Sequence, residues 1–304
     1  MAPRLSVVIP AYNRAATIGR AIASVLAQDR DDLEIVVVDD GSDDDTAARA
    51  TDFGPAVRVL RQANAGPGAA RNAGIAASRG ELVAFLDSDD EWLPGKLAAQ
   101  LAVLDADPTV GLAGAGAEYV AAGGALVKRY APGGAGDILA RLVFENLLPT
   151  SSVVVRKALL AGQPGPFRTD LPFAEDWELW LKLAARTRAF VLPGIFVRYH
   201  VTSGSAQRSL QPERFLGAYE TLFDGLRADE AAGPTVDRLW PDIAANIRLL
   251  AAYELYASGA AWPARRLALS AWRLARRPKS LATLLGLMLP GRLRNRLEAW
   301  RQDR

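Results

Sequence analysis

Residues 5–42, LSVVIPAYNRAATIGRAIASVLAQDRDDLEIVVVDDGS, decide the fold. Leu5 to Ile9 and Glu34 to Val38 are runs rich in β-branched apolar residues, and between them Ile18, Ala21, Ile22, Val25 and Leu26 recur at helical spacing. The reading is strand, helix, strand. The strands begin 29 residues apart, the length of a right-handed crossover unit, and both are nearly continuously apolar, as buried parallel strands are. Working outward, a third strand is expected at Val57 to Leu60, a Gly/Ala-rich helix at Ala69 to Ser78 and a fourth strand at Leu82 to Leu86. The N-terminal hundred residues are thus a doubly wound α/β unit.

Beyond it, helices are expected at Pro94 to Leu104 and Glu175 to Ala185, and strands at Val110 to Val120, Ser151 to Val155 and Phe190 to Tyr199. Gly123 to Gly136 reads as a glycine-rich loop region with a short strand at Ala125 to Arg129. From about Gln211 the pattern is helical throughout. The expectation is a mostly parallel α/β domain over residues 1–208 and a helical C-terminal region over 209–304.

Half of the 304 residues are hydrophobic, enough for a sizeable core, and the absence of cysteine excludes disulfides and thiolate metal sites. The first apolar run is too short for a signal-peptide core, and the apolar stretch from Leu281 to Leu289 ends at Pro290, short of the roughly 18 to 20 residues of a spanning helix. A cytoplasmic protein that does not cross the membrane is expected. From Trp262 onward eleven Lys or Arg face only Glu298 and Asp303, so a net charge of +2 conceals a basic tail on an acidic body. Such a tail, with Trp262, Trp272 and several leucines between its arginines, suits peripheral contact with an anionic membrane surface, or packs on the catalytic domain with a solvated basic face. No nucleic-acid reader motif is present.

In open parallel sheets ligands bind beyond the carboxyl ends of the strands. Here those ends carry Pro10-Ala11-Tyr12-Asn13, Asp39-Asp40-Gly41-Ser42 and Asp87-Ser88-Asp89-Asp90. Acidic clusters on adjacent strand ends repel one another unless a cation or a donor-rich ligand lies between them. The first strand is followed by PAYNRAAT, so the glycine fingerprint of a dinucleotide fold is missing, and no Walker phosphate loop is present.

Four stretches, LSVVIPAYNRAATIGRAIASVLAQ, EIVVVDDGSDDDT, NAGPGAARNAGIAASRGELVAFLDSDDEWLPGKL and AEDWELWLKLA, in this order and spacing, resemble the family 2 glycosyltransferases of the GT-A fold over roughly residues 4–205. The resemblance implies an inverting transferase that moves a sugar from a nucleoside-diphosphate sugar, with UDP the first expectation, onto a glycan or lipid-linked glycan in bacterial surface glycan assembly. It implies that Asp87 and Asp89 form the Asp-x-Asp element around the spacer Ser88, and that Asp89 is the more direct ligand of Mn2+ or Mg2+; hard oxygens suit such ions. Ala11 and Tyr12 would line the base pocket, Pro10, Asn13, Asp87 and Ser88 would also meet the nucleotide, Asp39 would accept from the base with help from Asp40, and Arg71 would lie near the nucleotide. Asp176 matches the general base, Glu175 and Trp177 would meet the acceptor, and His200, the single histidine, would be a third metal ligand.

Simpler roles stand beside these. Asp39, Asp40 and Asp176 could cap helices. Arg71 could pair with a surface acid, and His200 and Trp177 could belong to the core. Two other functions compete as well: a sugar-phosphate nucleotidyltransferase, which would carry a Gly-rich loop after the first strand, and an inactive scaffold that retains the fold.

Overall fold

The computed structural model describes residues 2–161, 165–201, 212–257, 259–276 and 285. The chain divides into two compact units, Met1–Ser205 and Ala206–Arg304. Most of the basic tail, from residue 277 on except residue 285, lies outside the described residues.

The first unit runs β1 (Leu5–Ala11), α1 (Ile18–Leu26), β2 (Leu33–Asp39), α2 (Thr46–Thr51), β3 (Val57–Arg61), α3 (Pro67–Ala77) and β4 (Leu82–Phe85). It continues with β5 (Glu91–Trp92), α4 (Lys96–Ala106), β6 (Val110–Ala121), β7 (Leu126–Tyr130), β8 (Gly134–Gly136), α5 (Leu139–Leu142), β9 (Val154–Arg156), α6 (Glu175–Ala184) and β10 (Arg188–Val201). One sheet has the order β3-β2-β1-β4-β9-β6-β10-β5, with β7 beside β6 and β8 beside β10. β3, β2, β1 and β4 are mutually parallel, so their carboxyl ends share one edge. β9 then enters antiparallel between β4 and β6, and the sheet becomes mixed.

Alternation along these strands sorts the core into two layers. Leu5, Val7, Ile9, Ile35, Val37, Leu82 and Ala84 face Ile18, Ile22 and Val25 of α1 and Leu97, Leu101 and Leu104 of α4. On the opposite face Val36 and Val38 pack with Ala70 of α3. Gly74 explains why α3 is built from small residues: a Cβ there would lie 2.4 Å from Val8 Cγ1 and 3.3 Å from Val38 Cγ2. Phe85, on that same face of β4, meets Phe167 and Trp180 of α6 with ring centroids 5.3 and 5.7 Å away. The close seat of α3 and the aromatic seat of α6 bring these helices to one side of the strand ends.

Several boundaries differ from the sequence expectation for local reasons. Gly95 takes a left-handed φ of 80°, so the helix expected from Pro94 begins at Lys96. α2 starts at Thr46, where Asp44 accepts the Thr46 and Ala15 amide hydrogens. β5 and β8 have two and three residues, too short for any periodicity to register.

In the second unit, α7 (Pro212–Arg227), α8 (Gly233–Ala257) and α9 (Ala261–Ala275) follow one another. Ala245, Leu249 and Ala252 of α8 bury against Ala264, Ala268 and Ala271 of α9. Among the described residues no helix is long and apolar enough to cross a membrane.

Candidate functional site

The parallel strand ends hold the first group of side chains. Ala11 is buried, and its carbonyl accepts the Asp40 amide hydrogen at 2.8 Å. Asn13, with a left-handed φ of 52°, donates its amide hydrogen to Ser42 Oγ at 2.9 Å and accepts from the Asp43 amide. Tyr12, next to it, stands 43 % exposed, free to lie against a ligand. Pro10 is paired with Val38 inside the sheet.

The two aspartates after β2 have different duties. Asp39 is fully buried; Oδ1 accepts the Ser42 amide hydrogen, while Oδ2 has no hydrogen bond and lies 3.3 Å from Arg61 Nε. A buried carboxylate oxygen without a donor is costly, and a ligand N–H would satisfy it. Asp40 instead spends both oxygens on the 62–66 loop, accepting from Gln62, Ala65 and Gly66. It shapes that loop and does not aim at a ligand, and neither aspartate caps a helix.

At the end of β4, Asp87 donates its amide hydrogen to Ser151 Oγ and accepts from Arg71 through Oδ1, and Ser88 is buried beside it. Asp89 lies 3.6 Å from Arg14, and its carbonyl accepts from Arg20. Burial and the neighbouring Asp87 raise the proton affinity of Asp89, with Arg14 opposing. Asp90 sits deeper, accepting the Ser151 hydroxyl at 2.6 Å and the His200 amide hydrogen at 3.1 Å, and burial followed by Asp87 pushes its pKa well up. Crowded carboxylates whose charged forms are disfavoured are the electrostatic setting that a divalent cation relieves, and their hard oxygens match Mg2+ or Mn2+. Among the described residues no three His, Cys, Asp or Glu side chains are arranged to hold a metal. Asp87 and Asp89 would therefore share such an ion with oxygens of a ligand or water.

His200 differs from the expected third ligand. Its Nε2 lies 2.8 Å from Glu91 Oε1, and Glu91 also approaches Arg198, which binds Glu118. That network staples β10 to β5 and β6.

The second group opens α6. Ala174 adopts a left-handed φ of 62°, a conformation that costs a non-glycine residue about 1 to 2 kcal/mol. Glu175 accepts from Arg71 at 2.7 Å. Asp176 Oδ2 accepts the Thr150 hydroxyl at 2.6 Å and Asn146 Nδ2 at 3.3 Å, and Oδ1 accepts the Trp177 amide hydrogen. Burial, then the charge of Glu175, raises the pKa of Asp176 to about 6. Trp177 is no acceptor platform: it is 5 % exposed and its indole N–H donates to the Leu142 carbonyl, anchoring α6 to α5.

Arg71 joins the groups. It is buried, and although burial works against its charge, Asp87 and Glu175 hold it protonated. Sequence reasoning did not single out Asn146, Thr150, Ser151, Tyr119 or Tyr199. The two tyrosine rings lie 5.1 Å apart, and burial together with Asp90 and Asp176 raises the Tyr119 pKa to about 12, which keeps the phenol protonated near the acidic group. The DSDD run itself signals Asp90, the third acid. No local pattern signals the others.

The site thus combines acidic strand ends of a mixed sheet with a carboxylate-led helix, and the chain is similar to known proteins. The profile of Glycosyl transferase family 2 matches residues 6–150. An uncharacterized glycosyltransferase of Nostoc sp. is 47% identical over 113 residues, 36% of this chain and 35% of that protein, so the match spans about a third of its length. Succinoglycan biosynthesis protein ExoU of Rhizobium meliloti is 32% identical over 252 residues, covering 76% of this chain and 73% of ExoU. Among solved structures, residues 1–349 of S. aureus TarS in complex with UDP-GlcNAc align with a TM-score of 0.66 at 20% identity, over 99% of this chain and 92% of that one. Mannosyltransferase PcManGT from Pyrobaculum calidifontis, in complex with GDP-Man and Mn2+, gives 0.63 at 24% identity, over 94% and 84%. The structural likenesses establish the GT-A fold, and the sequence matches extend from the strand ends through α6; the chain belongs to glycosyltransferase family 2.

Proposed function

We propose that this chain transfers a sugar from a UDP-sugar to an acceptor hydroxyl with inversion, in the assembly of a bacterial surface glycan. The observation that carries the reading is Asp176, a carboxylate held by Thr150 and Asn146 with its pKa lifted to about 6. A base of that strength is ionised at neutral pH yet has enough proton affinity to draw a proton from a hydroxyl as it attacks. The acceptor oxygen forms its bond to the anomeric carbon on the face opposite the diphosphate. The proton passes to Asp176, and the anomeric C–O bond breaks to release the nucleoside diphosphate. Asp39 Oδ2 accepts from the base ring, and Tyr12 covers it. Asp87 and Asp89 would hold a divalent cation, which would supply positive charge to the leaving diphosphate. Support for a glycan acceptor comes from ExoU, named for succinoglycan biosynthesis, and support for the donor and cation from the UDP-GlcNAc, GDP-Man and Mn2+ bound by the structural neighbours.

The reading is tested by following nucleotide release from UDP-sugars with Mn2+ as a function of pH. Because Asp176 must be ionised, kcat should rise with pH through about 6 and then level. Glu175→Gln removes a charge that raises the Asp176 pKa, so the acid limb should move to lower pH. An unmoved limb would separate it from Asp176.

The second unit supports a membrane-side partner. On α9, Trp262, Arg266 and Arg273 are exposed and lie at spacings of four and seven residues, one helical stripe. A Trp beside arginines suits the headgroup region of an anionic bilayer, where each basic residue is worth about 1 kcal/mol. The chain should sediment with phosphatidylglycerol-containing vesicles and not with phosphatidylcholine alone, and Arg266→Glu with Arg273→Glu should release it. Equal sedimentation of the variant, or none by the wild type, would remove the membrane from the reading.

A further inference from the structure

Arg71 carries a contact pattern that diphosphate binding does not require. Its guanidinium is buried and forked: Nη2 donates to Asp87 Oδ1 at 2.7 Å and Nη1 to Glu175 Oε1 at 2.7 Å. The ring of Phe167 lies against it, 5.3 Å from centroid to Cζ, and Phe167 is itself packed edge-on to Phe85 and Trp180. The fork therefore cannot slide without disturbing a closed aromatic cluster. Glu175 follows the strained Ala174 and precedes Asp176, so the residue that Nη1 holds is the first of the base turn. Strain of this kind persists where surrounding contacts impose it. A second brace runs on the other side, where Thr150 holds Asp176 and Ser151 receives the Asp87 amide hydrogen, but it is uncharged.

We propose that Arg71 is a positioning residue that couples occupancy of the donor site to placement of the base turn, by sharing one guanidinium between Asp87 and Glu175. The inference rests on the donor reading above and deepens it. A cation shared by two carboxylates binds each less tightly than it would bind one alone. With Glu175 in place, Asp87 remains available to a divalent ion; without Glu175, the whole charge of Arg71 falls on Asp87 and competes with that ion. Reciprocally, an ion at Asp87 transfers the pull of Arg71 to Glu175 and tightens the base turn. Lys cannot reproduce this, because an ammonium is a point charge without the planar fork.

The test is calorimetric titration of UDP, or GDP where the wild type prefers it, in the presence of Mn2+. Glu175→Ala, although on the acceptor side, is expected to weaken nucleotide binding by about fivefold or more, the lower range of coupling between sites. In an Arg71→Met background the same substitution should change affinity by less than about twofold, as for independent positions. Arg71→Lys should lower kcat more than it weakens nucleotide binding. Glu175→Gln, which keeps an acceptor for Nη1 but no charge, replaces the Ala variant if that chain does not fold, with the same expectation. Nucleotide affinity of the Glu175 variant within about twofold of wild type, or equal weakening in both backgrounds, overturns the coupling. No nucleotide bound by the wild type would overturn the donor reading itself.

Discussion

Asp176→Asn should lower kcat by about 10²- to 10⁴-fold, the usual worth of a general base, while the folded chain still binds nucleotide. Asparagine has nearly the same shape: its Oδ1 can go on accepting the Trp177 amide hydrogen while its Nδ2 donates to the Thr150 hydroxyl oxygen, so the turn that opens α6 stays anchored. It cannot take up a proton. The fold should not suffer either, because burial and Glu175 both disfavour the charged carboxylate that the substitution removes. The sign is open to checking: a carboxylate whose folded pKa is raised to about 6 weakens the fold as pH rises from its unfolded value through that range, and the Asn variant should lose this slope. Turnover, nucleotide affinity and a melting curve against pH together decide the matter. An Asn variant that turned over at the wild-type rate would remove Asp176 from the chemistry.

The second large effect is expected at Asp89. Asp89→Ala should abolish the Mn2+-dependent part of UDP, GDP or dTDP binding in calorimetry, a loss beyond the about 10- to 100-fold that even an outer partner of a metal ligand contributes. Among the described residues its carboxylate pairs with Arg14 at 3.6 Å, and burial and Asp87 still raise its proton affinity. Asp87, by contrast, is already held by Arg71, so Asp87→Ala would also disturb the base turn and give a less clean result. The nucleotide that binds best names the donor class. Metal-independent binding unchanged by Asp89→Ala would take the cation out of the proposal, and absence of binding by the wild type would favour a scaffold.

Much of this site was legible in the chain. Asp39, Asp40, Asp87 and Asp89 follow strands that their own β-branched runs announce, and the rule that parallel sheets bind ligands at their carboxyl ends then places them together. The place of Asp176 in the first turn of its helix was legible through its motif. The roles of Asp40, His200 and Trp177 were not, because each depends on partners far along the chain: the 62–66 loop for Asp40, Glu91 for His200 and the Leu142 carbonyl for Trp177. Thr150, Ser151 and Asn146 carry no pattern of their own and become site residues only when β9 inserts between β4 and β6.

The sequence by itself determined the order of the longer strands and helices, the acidic strand ends and the family, because side-chain periodicity and motif spacing are local quantities. Only the tertiary structure decided which acids are braced and which are poised. The Asp39 oxygen left without a hydrogen bond, the raised pKa of Asp176 and the fork of Arg71 between Asp87 and Glu175 arise from desolvation and from contacts between elements distant in sequence. Those energies depend on what surrounds a group, and the surroundings exist only once α3 and α6 have packed on the same face of the sheet.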